Sequence, residues 1–157
     1  MARSRLFRHI LVPHDFSSQA TVALKSAAQL AKEHRGRLTV LHVLVLVPPY
    51  PSDDLAFAMP APGPHIPERR EQLQRLVAKA LGHSGPPANV RVELGDAAQS
   101  ILAAGRRASS IIMATSGRTG LSRFLIGSVA ERVVRHATVP VLTLRVPIRK
   151  RRGAPRK

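Results

Sequence analysis

Residues 113–146 read MATSGRTGLSRFLIGSVAERVVRHATVPVLTLRV. The stretch opens on the end of an apolar run, Ser110–Thr115 (SIIMAT), which has the composition of a buried strand. A glycine-containing loop follows. From Ser128 to His136 the apolar positions Ala130, Val133, Val134 and Ala137 fall on one stripe at helical spacing. Val139–Val146 (VPVLTLRV) then returns to a strand pattern. Gly117, Gly120 and Gly127 permit close backbone approach and unusual backbone angles. Gly127-Ser128 stands at the start of the helix, where unpaired N–H groups and the positive end of the helix dipole suit a phosphate. Arg118 and Arg123 lie in the loop and could add charge-assisted bonds. A plain strand-to-helix turn is the other reading of a glycine-rich loop.

Upstream, the same alternation repeats. Arg8–Pro13 (RHILVP) reads as a short buried strand, and Asp15 and Ser17 follow at the place for a helix N-cap. A helix runs from Ser18 to Arg35 on Ala20, Leu24, Ala27, Ala28 and Ala31, and Gly36 ends it. Arg37–Val47 is nearly all Val and Leu, as in a strand covered on both faces. Residues 48–67 hold seven of the 13 prolines and read as a long connector, with a lid over a site as the sharper alternative. Glu68–Leu81 is a helix on Leu73, Leu76, Val77, Ala80 and Leu81. Asn89–Leu94 is a strand, and Gly95-Asp96 turns into a helix over Ala97–Arg107 with Ala98, Ile101, Leu102 and Gly105 inward.

The order β-α-β-α-β-α-β-α-β predicts an α/β fold: a mainly parallel five-stranded sheet with helices on both faces. Ligands in such sheets sit beyond the carboxyl ends of the strands, where the strand order reverses. The loops after the first and fourth strands are therefore the places for a site.

Composition narrows the function classes. The 157 residues suit one domain, expected over 1–148, with 149–157 as a basic disordered tail. There is no Cys, which excludes disulfides, thiolate zinc sites and thiol catalysis. The seven histidines lack ligand spacing such as H-E-x-x-H, and His42 is expected to find a hydrogen bond in the core. No G-x-S-x-G nucleophile elbow is present, and Ser116 has no identifiable base. The longest apolar run, Val43 to Pro49, is too short to span a membrane, and no signal-peptide apolar region follows the basic start, so a cytoplasmic protein is expected. The net charge is +16, and six Lys/Arg of the tail leave +10 on the rest. Such a charge favours anionic partners. The tail could hold nucleic acid or anionic lipid by charge, but it carries no aromatic to stack on bases, and a solvated tail is the favoured reading.

The loop and helix resemble the nucleotide-binding signature of the universal stress protein family, Gly-x2-Gly-x9-Gly-Ser. Gly117, nine residues, then Gly127-Ser128 match it. The helix and strand that follow, the opening ILVPHDFS, the segment LTVLHVLV and LGDAAQSIL also resemble the family, so the likeness covers nearly the whole chain. The resemblance implies strand order 3-2-1-4-5, ATP binding with Mg²⁺ and at most slow hydrolysis. It implies that Pro13, Asp15 and Val43 line the adenine and ribose end. Met113, Ala114 and Gly117 would form the floor, and Gly127, Ser128 and Val129 would hold the phosphates. Asp15 would help place Mg²⁺, act as a helix N-cap, or both. A homodimer through the last strand, residues 139–146, is also implied, with Pro140 removing one donor near its start.

Two positions depart from the family pattern. Ala114 stands where the signature has its first glycine, and Ser109-Ser110 replaces a usual carboxylate. Family members without the motif do not bind ATP. A dimeric interaction protein without nucleotide is thus the second expectation, and a nucleic-acid-associated basic protein the third.

Overall fold

The structure is a computed structural model and describes residues 4–45, 65–115 and 127–146. Five parallel strands form one sheet: β1 (His9–Pro13), β2 (Arg37–Leu44), β3 (Ala88–Leu94), β4 (Ser110–Ala114) and β5 (Val141–Leu144). Their order is β3-β2-β1-β4-β5, as expected. The helices are α1 (Ser18–Glu33), α2 (Ile66–Leu81), α3 (Ala97–Gly105) and α4 (Ser128–His136). A 3-10 turn, Arg5–Phe7, precedes β1.

Alternate residues of each strand face opposite layers. Ile10, Val12, Leu38, Val40 and Ile112 pack under α1 and α2, against Leu24, Ala27 and Leu73. Leu11, Leu41, Ile111 and Met113 pack under α3 and α4, against Ala98, Ile101 and Val133. The small residues of α1 and α3 let helices lie close to the sheet. A Cβ on Gly105 would stand 2.9 Å from Ile111 Cδ1. Among helix positions expected to face inward, Leu102 is half-buried and Val134 is 47% exposed.

Several boundaries differ from the expected ones. Helix α1 ends at Glu33, and the residue in the left-handed region is Arg35, at φ 52°, rather than Gly36. Gly36 N–H donates to the Ala31 carbonyl at 2.7 Å and Arg35 N–H to that of Lys32 at 3.2 Å, the paired bonds of a Schellman cap. Gly36 is needed for space: a Cβ there would lie 2.0 Å from the Phe7 carbonyl oxygen. Helix α2 starts at Ile66, because Pro67, expected in the connector, fits the first helical turn. Helix α3 stops at Gly105 rather than Arg107, as Arg107 and Ala108 donate to the Ala104 and Gly105 carbonyls in a tighter turn. Strand β5 starts at Val141 rather than Val139, because Pro140 has no N–H, although its carbonyl accepts from Ile111 at 2.9 Å. Residues 48–64 of the connector, the last two residues of the expected Arg37–Val47 strand and the basic tail lie outside the described residues.

Candidate functional site

The register Pro13↔Leu41 between β1 and β2, and the β1–β4 pairing, bring the carboxyl ends of β1 and β4 nearly level, while β2 runs three residues further, to Leu44. The strand order reverses there, between β1 and β4. A cleft of about 390 Å³ opens at this point, a volume typical of small-molecule sites. It is lined by Pro13 and Asp15 from the β1 end and Val43 from β2. Met113 and Ala114 of β4, and Gly127, Ser128 and Val129 at the start of α4, complete its wall. Every expected site residue except Gly117 is thus brought to one cleft. Gly117, with Gly120, Arg118 and Arg123, lies outside the described residues.

The start of α4 is open chemically. Gly127 is its N-cap and supplies no side-chain bond, so among the described residues no side chain caps the first-turn N–H groups. Gly127 has φ −57° and ψ 148°, angles that any residue adopts, so the expected unusual conformation is not found at this glycine. Ala114 ends β4 opposite Leu144 and is not among the residues with positive φ. Its methyl therefore sits on unstrained strand backbone.

Asp15 is exposed, and its Oδ1 accepts from Ser17 N–H at 3.0 Å. Partial burial opposes its ionisation, but hydrogen bonds from the Ser17 hydroxyl and backbone outweigh that and hold the carboxyl below the usual range. The N-cap of α1 is Ser17, whose Oγ accepts from Ala20 N–H at 3.0 Å, and not Asp15. Asp15 is thereby left beside the cleft as an anion. On the far wall, Asp96 caps α3 through Gln99 N–H at 2.8 Å and pairs with Arg132 of α4 at 2.9 Å, which ties α3 to α4.

Sequence reasoning missed the two histidines of the cleft. His14 is 3% exposed. Its Nδ1 accepts from Phe16 N–H at 3.0 Å, so its proton sits on Nε2, facing Thr21 Oγ1 at 3.3 Å. His42 donates from Nδ1 to the His14 carbonyl at 2.8 Å, so the hydrogen bond expected for it exists, at the rim of a cleft rather than deep in the core. Phe16, at φ 62°, sets its ring edge-on to His42 at 4.6 Å, with the Arg69 guanidinium 5.9 Å above it. The signal was the register itself: with Pro13 opposite Leu41, His14 must neighbour His42. Among the described residues no three His, Asp or Glu side chains gather as a metal site.

Burial lowers the pKa of His14 below 6.5, with Asp15 opposing and His42 adding. The unfolded chain takes up this proton near pH 6.5 and the folded chain does not, so stability is lost as pH falls below that value. One such histidine can contribute up to about 1.4 kcal/mol per pH unit until its folded pKa is reached. Denaturation of wild type and His14→Gln between pH 7 and 5 should show a shallower decline in the variant. An unchanged decline would assign the acid sensitivity elsewhere.

The sequence model of the universal stress protein family matches residues 6–145. A universal stress protein of Methanocaldococcus jannaschii is 32% identical over 150 residues, covering 90% of this chain and 84% of the relative. Among solved structures, universal stress protein UspA of Lactobacillus plantarum superposes with a TM-score of 0.65 at 26% identity, covering 88% of this chain and 98% of that one. The universal stress protein of Archaeoglobus fulgidus in complex with dAMP superposes with a TM-score of 0.56 at 22% identity, over 88% and 98% of the two chains, a likeness of fold. No helix among the described residues is long and apolar enough to cross a membrane. The sheet order, the reach of the family match and the identity to its members leave one assignment: this chain belongs to the universal stress protein family.

Proposed function

We propose that the cleft between β1, β4 and α4 holds ATP, and that the protein is a cytoplasmic stress-response regulator that reads nucleotide rather than an enzyme that turns it over rapidly. The observation that carries this reading is the start of α4, capped by no described side chain and lining a cleft at the strand-order reversal. Backbone N–H groups of Ser128 and Val129 and the Ser128 hydroxyl would take the phosphates. Pro13 and Val43 would bracket the adenine and ribose, over a floor of Met113 and Ala114. The dAMP complex of the Archaeoglobus relative supports an adenine nucleotide as the class of ligand. Mg²⁺ fits this donor set: one ionised carboxylate, Asp15, beside a phosphate site is what a cation that keeps its waters and uses phosphate oxygens requires. Asp15 would hold it directly or through water, and the ion would neutralise phosphate charge there.

Calorimetric titration of MgATP into nucleotide-stripped protein tests the reading. Saturable binding is expected. No heat of binding up to millimolar ATP would leave an interaction protein of the same fold.

The protein is further proposed to pair with a second copy through β5. That strand is at the sheet edge, and Leu142 on it is 42% exposed. Sedimentation should give a dimer that Leu142→Asp converts to monomer. A monomeric wild type would remove the proposal.

A further inference from the structure

At the opposite, amino-terminal end of the sheet, two adjoining clefts of about 480 and 500 Å³ share Arg37 and Arg107 in their walls. Arg8, Arg35 and Arg106 line the second of them. These five arginines are exposed, and none is in an ion pair with a described carboxylate; a sixth, Arg91 of the first cleft, is paired with Glu93. Most carboxylates of the described residues gather at the other end: Asp15 follows β1, Glu93 lies near the end of β3, Asp96 caps α3, Glu68 and Glu131 lie in the first turns of α2 and α4, and Glu71 follows one turn on in α2. Glu33, at the end of α1, is the acid nearest Arg35 in sequence, and it accepts from Gln29 at 3.1 Å.

The arginines exceed what the fold itself requires. The carboxyl ends of α1 and α3 border these clefts and carry roughly half a negative charge each. Together with Glu33 they offset about two of five positive charges, leaving a net of about +3. The backbone supports the same view. Arg35 occupies the left-handed position of the α1 cap, where glycine is the ordinary residue and a side chain costs about 1 kcal/mol. His9 joins the Arg107 carbonyl, at 2.8 Å, to Thr39 Oγ1 of β2, at 2.8 Å, and so sets Arg107 across from Arg37. The Arg37 N–H donates to the Arg8 carbonyl at 3.0 Å, which places those two side by side.

We propose that this end of the sheet binds the phosphate backbone of nucleic acid, independently of base sequence. Exposed arginines spread over two concave clefts suit successive phosphates of a chain, since no buried fork among them fixes a single phosphate. A concave surface also suits a strand better than a flat bilayer. Five contacts give a slope of log K against log salt of about −4.5 on duplex and about −3.5 on single strands. The surface is folded and distinct from the basic tail, and the inference rests on no part of the nucleotide reading.

The test is fluorescence anisotropy of labelled 20-nucleotide RNA and DNA, single- and double-stranded, with the full chain from 50 to 200 mM salt. Three variants separate the sources of charge. One carries Arg35, Arg37, Arg106 and Arg107→Gln; one carries Lys25, Arg70, Arg75 and Lys79→Gln on α1 and α2; one has the Lys and Arg of residues 149–157 replaced by Gln. The first should bind at least about 100-fold more weakly at 100 mM salt, with the slope flattened by about 3. The second, with the same change in net charge, should bind within a few-fold of wild type. Absence of saturable binding by the wild type at 50 mM salt would overturn the proposal. So would equal losses in the first two variants, or a loss confined to the tail variant. All substituted positions in the first variant are exposed, and an unchanged melting temperature confirms its fold.

Discussion

Gly36→Ala should lower the unfolding free energy by about 3 kcal/mol, a fall in melting temperature of about 6–12 °C for a chain of this size. The added Cβ would lie 2.0 Å from the Phe7 carbonyl oxygen, 3.0 Å from the Phe7 carbonyl carbon and 3.1 Å from that of Arg8. All three are backbone atoms at the entry to β1, so no rotamer change relieves the clash. Relief requires the segment before β1 to move, which disturbs the Arg37–Arg8 bond and the first pairs of β1 with β2. Gly82→Ala is the matched comparison. It has φ +62° and ψ −171°, a region nearly confined to glycine, but open space around its Cβ, so only a conformational cost of about 1–3 kcal/mol applies. A loss below about 1 kcal/mol in Gly36→Ala would show that close approach is not what holds Gly36.

Gly127→Val should leave the fold intact and weaken MgATP binding by about 100-fold or more. Its φ and ψ suit valine, so no backbone strain is introduced. The branched side chain would stand at the mouth of α4, between an approaching phosphate and the Ser128 and Val129 amides. Losing two hydrogen bonds to a charged group costs about 3 kcal/mol in all, which is about two orders of magnitude in affinity. The calorimetric titration reads this directly, with thermal melts as the control for folding. Undiminished affinity would move the phosphates away from this helix.

The layered sheet was legible because most of its strands are rich in Val, Ile and Leu and its helices carry single apolar stripes. Helix α4 was read to the residue, since Gly127-Ser128 marks its start and His136 precedes a β-branched run. Boundaries failed where one residue carried two signals. Pro67 belongs equally to a proline-rich connector and to a first helical turn. Gly36 looks like a helix terminator, yet its constraint is the segment leading into β1, which no local pattern reveals. The cleft residues taken from the family resemblance lie together, except Gly117, which is outside the described residues. His14 and His42 were invisible as a pair because they meet only through the β1–β2 register. The arginine clefts were hidden for the same reason: net charge has no address until α1, α3 and β2 are brought to one edge.

The central claim, that adenine nucleotide occupies the cleft at the carboxyl edge, is tested most directly by amide chemical shifts during a MgATP titration of isotope-labelled protein. The account predicts saturating displacements concentrated at Gly127, Ser128, Val129, His14, Asp15 and Val43. Displacements concentrated instead at Arg8, Arg37, Arg106 and Arg107 would show that the nucleotide is held by the basic end of the sheet, and would contradict the account.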